Sequence, residues 1–221
     1  MRSPTLISDP AVTAIPAVDC GEPLADVRER PTLRLDHRKA DPQGAFAKLR
    51  AGILDRLVLA QGRLPAGVHL LIVEGYRPMA LQQGYFEEYA AHLQQLHPQH
   101  SAADIAQLAS RYISPPRVAP HPAGAAVDLT LCTADGDELD LGTPVNASPE
   151  ESDGACYFAA PQVVGPARTN RDLIATALSG VGLVNYPTEW WHWSYGDRYW
   201  AFVTRAERAV YDVVESRTVE R

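Results

Sequence analysis

One carboxylate stands inside the most apolar segment of the chain. Asp128 lies within Ala125–Cys132, a run of alanine, valine and leucine residues that is typical of a buried β-strand. An ionised carboxylate among such side chains is unfavourable unless it is paired or binds a metal ion. The chain therefore has to bring partners to Asp128, and a hydrogen-bonded turn carboxylate is the alternative interpretation.

Two histidines are candidate partners for this carboxylate. His121 precedes Pro122-Ala-Gly124, which can turn the chain back toward the strand of Asp128, and His192 ends the segment Pro187-Thr-Glu-Trp-Trp-His192. Two imidazoles and a carboxylate suit zinc in a hydrolase, where a fourth position is left for water. We expect His121, Asp128 and His192 to bind one Zn²⁺ per chain. Taken alone, His121 would be a surface residue, and cobalt or iron also suits these ligands.

Glu189 is the candidate general base for such a centre. It precedes His192 by three positions, so the two side chains share a face on a helical turn but point oppositely on a regular strand. A bend after Pro187 resolves this conflict. Glu189 would then take a proton from the metal-activated water and pass it to the leaving nitrogen. The alternative is a surface glutamate beside an aromatic core strand.

Arg77 is the candidate for stabilising the oxyanion of the reaction. It follows the apolar run Val68–Val73 within Gly75-Tyr-Arg-Pro78, and the end of a buried strand often faces a cleft. A fixed positive charge there would stabilise a tetrahedral oxyanion. Most arginines, however, form only surface or structural ion pairs.

Composition excludes several classes of protein. The 221 residues are 46% hydrophobic and 21% charged, which suits one folded domain. The net charge of -7 is dispersed, without a basic stripe for nucleic acid. We find no apolar run that would form a signal peptide or cross a membrane, so we expect a cytoplasmic protein. The three cysteines have no metal-binding spacing and are expected to be free thiols.

The periodicity of the chain predicts an α+β fold with a small, mostly antiparallel sheet, helices on its flanks and the zinc site in a central cleft. Residues 1–31 contain five prolines and are expected to form an extended N-terminal arm, with residues 32–221 as a single domain that carries the zinc site. Residues 142–168 are expected to form a long irregular loop. Helices are predicted over Gln43–Ala60, Met79–Leu96, Ser101–Tyr112 and Thr169–Ser179 and from Thr204 onward, and strands over Val68–Val73, Ala125–Cys132, Trp190–Tyr195 and Tyr199–Val203.

Several motifs, in order, resemble the D-alanyl-D-alanine dipeptidase family of zinc peptidases, the VanX-like members of peptidase family M15. The resemblance covers roughly residues 68–202 and rests on Glu74-Gly-Tyr-Arg-Pro78, His121-x-x-Gly124-x-Ala126-x-Asp128, Leu141-Gly-Thr143, Asn170-Arg171 and Glu189-Trp-Trp-His192. It implies that His121, Asp128 and His192 bind zinc, Glu189 is the catalytic base and Arg77 stabilises the transition state. It also implies hydrolysis of short D-amino-acid dipeptides in the cytoplasm, with Asn146 and Tyr76 as substrate-binding positions.

The chain departs from the family at two positions that concern the substrate. Ala119 stands where family members usually have serine, and Asn146 stands where an aspartate commonly holds the substrate ammonium group. A neutral amide cannot form the same ion pair. Glu150, Glu151 or Asp153 would be alternative partners for the amine.

Three functions follow from these observations. The first is a zinc dipeptidase acting on D-Ala-D-Ala or a similar short peptide. The second is a D,D-carboxypeptidase, or a peptidase for another modified or N-blocked peptide. The third is a metal-binding module without turnover, which the presence of Glu189 and Arg77 disfavours. The sequence does not determine the oligomeric state.

Overall fold

The apolar runs of the sequence form the central strands of a five-stranded sheet. The computed structural model describes residues 4–214. Its strands are β1 (Leu24–Asp26), β2 (Arg34–Leu35), β3 (Lys48–Arg50), β4 (Val68–Glu74), β5 (Ala126–Thr133), β6 (Val184–Asn185) and β7 (His192–Ser194).

Six α-helices surround the strands. They are α1 (Pro10–Thr13), α2 (Ala51–Gln61), α3 (Met79–Leu96), α4 (Ala102–Ala109), α5 (Gly165–Ser179) and α6 (Arg198–Thr204), and short 3-10 helices cover Val27–Glu29, Ala45–Ala47 and His121–Ala123. Within residues 4–214, none of these helices combines the length and apolar character needed to cross a bilayer.

The main sheet has the strand order β2-β4-β5-β7-β6. Only β2 and β4 run parallel, and every other neighbouring pair in this sheet is antiparallel. The predicted α+β class and mostly antiparallel sheet are therefore confirmed. A separate antiparallel pair joins β1 to β3.

The two faces of β5 have different neighbours. Val127, Leu129 and Leu131 belong to the main hydrophobic core together with apolar residues of α2 and α5. Alternation along a strand directs Asp128 to the opposite face. Asp128 thus lies on the side of the sheet away from α2 and α5.

A row of polar residues crosses three strands on this face. Asp128 pairs in register with His192 on β7, and on its other side with Glu74 on β4. The register of β4 against β5 shifts between Ile72 and Glu74, which makes Val73 an extra residue. This β-bulge brings Glu74, rather than Val73, opposite Asp128.

The N-terminal segment packs against the rest of the chain. Ile7 and Val12 form a small apolar cluster with Tyr186 and Tyr199. Strand β1 pairs with β3, and the carboxylate of Asp19 forms an ion pair with the buried Arg50. The segment contains little regular structure beyond α1, β1 and a 3-10 helix. A division of the chain at residue 31 stays a prediction.

Two helix starts differ from the sequence prediction. The helix expected from Gln43 begins at Ala51, because residues 45–50 form a 3-10 helix and the strand that pairs with β1. Helix α5 begins at Gly165 rather than Thr169, with a proline in its first turn. Proline suits that position because it has no N–H group to lose.

The predicted strand Tyr199–Val203 is wrong, because this segment forms α6. The side chain of Asp197 accepts hydrogen bonds from the amides of Tyr199 and Trp200 and caps the helix. The aromatic side chains of this segment are common in strands, but the N-terminal cap by Asp197 stabilises a helix. The helix expected from Thr204 is also wrong up to residue 214, since Thr204 ends α6. Its remainder lies outside the described residues.

Candidate metal centre

Three buried side chains converge on the open face of the sheet. His192 Nδ1 lies 2.9 Å and His121 Nε2 3.4 Å from Oδ1 of Asp128. Ligand atoms of the three residues all lie within 4.8 Å of one another. The structure therefore brings together the three ligands that the sequence predicted.

A tight turn delivers His121 to this point. The 3-10 helix His121–Ala123 ends at Gly124, whose φ of +64° favours glycine. A Cβ at Gly124 would also lie 2.4 Å from the side chain of Leu24. His121 Nδ1 donates to the carbonyl oxygen of Gly75 at 2.7 Å, which leaves Nε2 free to accept or to bind a cation.

A double turn delivers His192. The amide of Glu189 donates to the carbonyl of Tyr186, and the amide of His192 donates to the carbonyl of Glu189. The side-chain amide of Asn185 donates to the carbonyls of Glu189, Trp190 and His192 at 3.0–3.3 Å. The bend expected after Pro187 is thus present, and it is held by Asn185, which sequence reasoning missed.

The charges of the centre suit a cation. Burial would raise the pKa of Asp128, but His121 and His192 outweigh burial and hold this pKa far below its usual range. Burial lowers the pKa of His192, which favours the neutral imidazole. Nε2 of His192 is buried and has no hydrogen-bond partner within residues 4–214. One carboxylate and two imidazoles form a donor set that fits zinc.

Glu189 lies beside the three candidate ligands. Its Oε2 is 3.8 Å from His192 Nδ1, and its side chain is largely buried. Burial, and then the negative charge of Asp128, raise the pKa of Glu189 well above its usual value, whereas Arg77 lowers it. A raised pKa makes a carboxylate a stronger base once it has lost its proton.

Arg77 is held in place by two neighbours. It donates from Nε and Nη2 to the two carboxylate oxygens of Glu74 at 2.8 and 2.6 Å, and from Nη1 to Gln82 at 2.8 Å. These bonds use three of its five N–H donors. Nη2 lies 3.9 Å from Oδ2 of Asp128, so the guanidinium borders the centre.

A cavity of about 400 Å³ opens onto this centre. The three candidate ligands, Glu189 and Arg77 line it, together with Ala119 and Asn146. Tyr76 is not among the residues that line the cavity; its amide donates to the carbonyl of Lys48 on β3. The structure does not bring Tyr76 to the site, and we assign it no substrate role.

Comparison with known proteins agrees with this geometry. The family model of the M15 peptidases, described as D-ala-D-ala dipeptidase, matches residues 50–212, which is most of the chain.

The chain belongs to this peptidase family.

Two relatives carry the same description. A D-alanyl-D-alanine dipeptidase of Synechocystis sp. is 30% identical over 224 residues, covering 86% of this chain and 88% of the relative. A D-alanyl-D-alanine dipeptidase of Escherichia coli is 30% identical over 127 residues, covering 58% of this chain and 55% of the relative.

The solved structures that match this chain are more distant in sequence. A vancomycin-resistance D,D-pentapeptidase VanY in complex with Zn(II) is 15% identical, with a TM-score of 0.42, covering 84% of this chain and 90% of the other. The LD-carboxypeptidase LdcB is 17% identical, with a TM-score of 0.45, covering 85% of this chain and 74% of the other.

In this M15 peptidase, the irregular segment before α5, which carries Asn146, is held by Arg171, a residue that does not line the cavity. Arg171 is fully buried and donates to the carbonyls of Leu141, Ala155 and Tyr157 at 2.7–2.8 Å. Burial lowers the pKa of Arg171 to about 10. Arg171 therefore holds the loop through backbone contacts, which explains the Asn-Arg motif as a structural support.

The tryptophans near His192 are core residues. Trp190, Trp191 and Trp193 are each 1% exposed and belong to the main hydrophobic core. None of the three lines the cavity.

Asn146 faces the cavity with an unusual backbone conformation. Its φ is +66°, and its carbonyl oxygen accepts a hydrogen bond of 2.6 Å from the hydroxyl of Tyr112. We expected another acidic residue to bind the substrate amine in place of the family's aspartate. None of the three candidates lines this cavity; they are Glu150, Glu151 and Asp153. The additional carboxylate that lines it is Glu88 on α3, for which sequence reasoning had no signal.

Proposed function

We propose that this peptidase is a zinc-dependent dipeptidase that hydrolyses D-Ala-D-Ala or a similar short peptide containing D-amino acids. The observation that carries the proposal is the convergence of His121, Asp128 and His192, with Glu189 beside them and the cavity in front. The membership of the M15 family supports the same reaction class.

One zinc ion per chain would be held by His121, Asp128 and His192. When bound, zinc supplies Lewis acidity that activates a water molecule and polarises the scissile carbonyl. The hydrogen bond from His121 to Gly75 orients the first imidazole. Asn185 orients the second by holding the turn before it.

Glu189 would move the proton of the reaction. Its buried carboxylate accepts a proton from the attacking water and then donates it to the nitrogen of the broken amide bond. Arg77 retains two N–H donors that Glu74 and Gln82 do not use. These donors would stabilise the negative charge that develops on the carbonyl oxygen.

Hydrolysis of free dipeptides tests this function. The purified, zinc-loaded protein is expected to release D-alanine from D-Ala-D-Ala, with L-Ala-L-Ala as the stereochemical comparison. Zinc content is measured on the same sample. No release at one zinc per chain would contradict the dipeptidase proposal.

A second candidate is a D,D-carboxypeptidase or a peptidase for another N-blocked peptide. The neutral Asn146 and the small Ala119 on the cavity wall favour it, because neither supplies a charge for a free amine. Comparing D-Ala-D-Ala with N-acetyl-D-Ala-D-Ala separates the two functions. A higher kcat/KM for the acetylated peptide would replace the dipeptidase proposal with this one.

A metal-binding module without turnover is the third candidate. Full zinc occupancy without hydrolysis across a panel of short peptides would favour it. A cytoplasmic location stays a prediction.

A further inference from the structure

Lys39 supplies a second positive charge to the cavity. It is half-buried and lines the cavity together with Arg77. Among residues 4–214, no carboxylate lies within the 4.0 Å of an ion pair to its ammonium group. The nearby acid Asp36 is already paired with Arg38 at 2.7 Å. Lys39 is thus a cavity cation whose charge is not committed within the described chain.

The fold holds Lys39 close to Arg77. Strand β2 runs parallel to β4, so the segments after the two strands leave the same edge of the sheet. The first segment carries Lys39 and the second carries Arg77. The amide of Asp36 donates to the carbonyl of Ile72 on β4 at 2.8 Å, which fixes the start of the Lys39 turn.

One aromatic ring contacts both cations. Lys39 Nζ lies 5.3 Å from the ring centroid of Tyr85 on α3, and Arg77 Cζ lies 5.1 Å from the same centroid. A cation over an aromatic face is stabilised without losing its charge. Tyr85 therefore positions two cations within about 10 Å of each other while leaving Lys39 able to bind an anion.

The two cations differ in how much charge remains for a ligand. Arg77 is balanced by the bidentate carboxylate of Glu74. Lys39 has no such partner among the described residues, and Glu88, which lines the same cavity, is not within ion-pair distance of it. An anionic group on a bound molecule would therefore be attracted most directly to Lys39.

We propose that Lys39 binds the C-terminal carboxylate of the peptide substrate. The inference rests on the proposed function, in which Arg77 stabilises the oxyanion at the scissile bond. In a substrate cleaved before its last residue, the carboxylate lies one residue beyond that bond, and one residue spans at most about 3.6 Å. Lys39, as a second cation near Arg77, is therefore placed to bind this carboxylate. Such binding would select peptides that end one residue after the scissile bond.

The experiment measures binding apart from turnover. Zinc-loaded, full-length Glu189→Gln protein is titrated calorimetrically with D-Ala-D-Ala and with its C-terminal amide. Adding Lys39→Met is expected to raise the Kd for the free acid about tenfold and to leave the Kd for the amide within about twofold, as for the loss of one charge-assisted bond. Lys39→Arg keeps the charge and should retain most of the affinity.

A matched control is available because Lys48 is the other lysine of the chain. Lys48 lies on β3 and does not line the cavity, so Lys48→Met should change neither Kd. Equal losses for the acid and the amide, no loss for either, or the same loss with Lys48→Met would overturn the assignment. Turnover of D-Ala-D-Ala by the protein with Glu189 intact tests the proposed function separately, so the two failures are distinguishable.

Discussion

Asp128 and His192 are direct cross-strand neighbours on β5 and β7, and their Oδ1 and Nδ1 atoms lie 2.9 Å apart. Antiparallel pairing puts the two side chains on the same face of the sheet. Residues that are 64 positions apart in the sequence thereby become two sides of one site. Glu74 continues the same row on β4 and holds Arg77 beside Asp128.

Zinc bound by His121, Asp128 and His192 should stabilise the folded protein. Zinc at about one hundred times its Kd is expected to raise Tm by about 5–10 °C, because the ion binds the folded state. Chelation should reverse the shift. His192→Gln should lose it, whereas His97→Gln, at an exposed position, should keep it. Differential scanning calorimetry with and without zinc checks this, and an equal zinc response in both variants would contradict the assigned ligand.

Glu189→Gln should separate metal binding from catalysis. We expect kcat to fall by about 10²–10⁴-fold, because the amide cannot accept the proton, while zinc content stays at one per chain. Glu207→Gln, at an exposed glutamate, is the control and should leave kcat unchanged. Measured kcat and elemental analysis of the same samples decide. Retention of full activity by Glu189→Gln would exclude the proposed base.

Glu74→Gln should impair catalysis through Arg77. The substitution removes the charge that holds the guanidinium beside Asp128, so we expect kcat to fall about tenfold, with a smaller change in KM and an unchanged zinc content. Glu87→Gln, at an exposed glutamate, is the control and should leave kcat unchanged. Steady-state kinetics measure whether the substitution changes kcat more than KM. A change in KM alone would show that Arg77 contributes to binding rather than to the transition state.

The acid limb of the pH–activity profile should depend on Arg77. The base acts only when deprotonated, and Glu189 has a raised pKa, so activity should be lost on acidification at a pH above the ordinary glutamate value of about 4.3. Arg77 lowers the pKa of Glu189; its removal in Arg77→Met should therefore move the limb to higher pH. Arg77→Lys keeps the charge and should leave the limb nearly in place. A limb at the same pH in all three proteins would contradict this coupling.

Arg171→Met should destabilise the fold. It leaves the buried carbonyl of Leu141 and the partly buried carbonyls of Ala155 and Tyr157 without their donors, and an unsatisfied buried group costs about 1–3 kcal/mol. We expect a loss of at least about 3 kcal/mol in the free energy of unfolding, measured by urea denaturation. Arg208→Met, at an exposed position, should change it by less than about 0.5 kcal/mol. Similar stabilities for the two variants would show that Arg171 does not support the loop.

Local pattern was enough to predict the elements that carry the site. The apolar runs around Val68 and Asp128 form β4 and β5, and the long helix Met79–Leu96 has the predicted bounds. The strand prediction for Tyr199–Val203 is wrong because aromatic side chains suit strands and helices alike. The cap by Asp197 is a contact that the periodicity of the sequence does not reveal. Asn185 was missed because its hydrogen bonds depend on a turn formed later in the chain.

The sequence by itself determined which groups this protein has for chemistry. A carboxylate in an apolar strand, two histidines at turns and a glutamate three residues before the second histidine already indicate a metal centre. Only the tertiary structure decided how they meet. The bulge at Val73 and the pairing of β7 with β5 set the register, and register is a property of strands far apart in the chain. A second long-range pairing, the parallel alignment of β2 with β4, brings the segment of Lys39 to the same end of the sheet as that of Arg77, and neither segment contains a local signal for it.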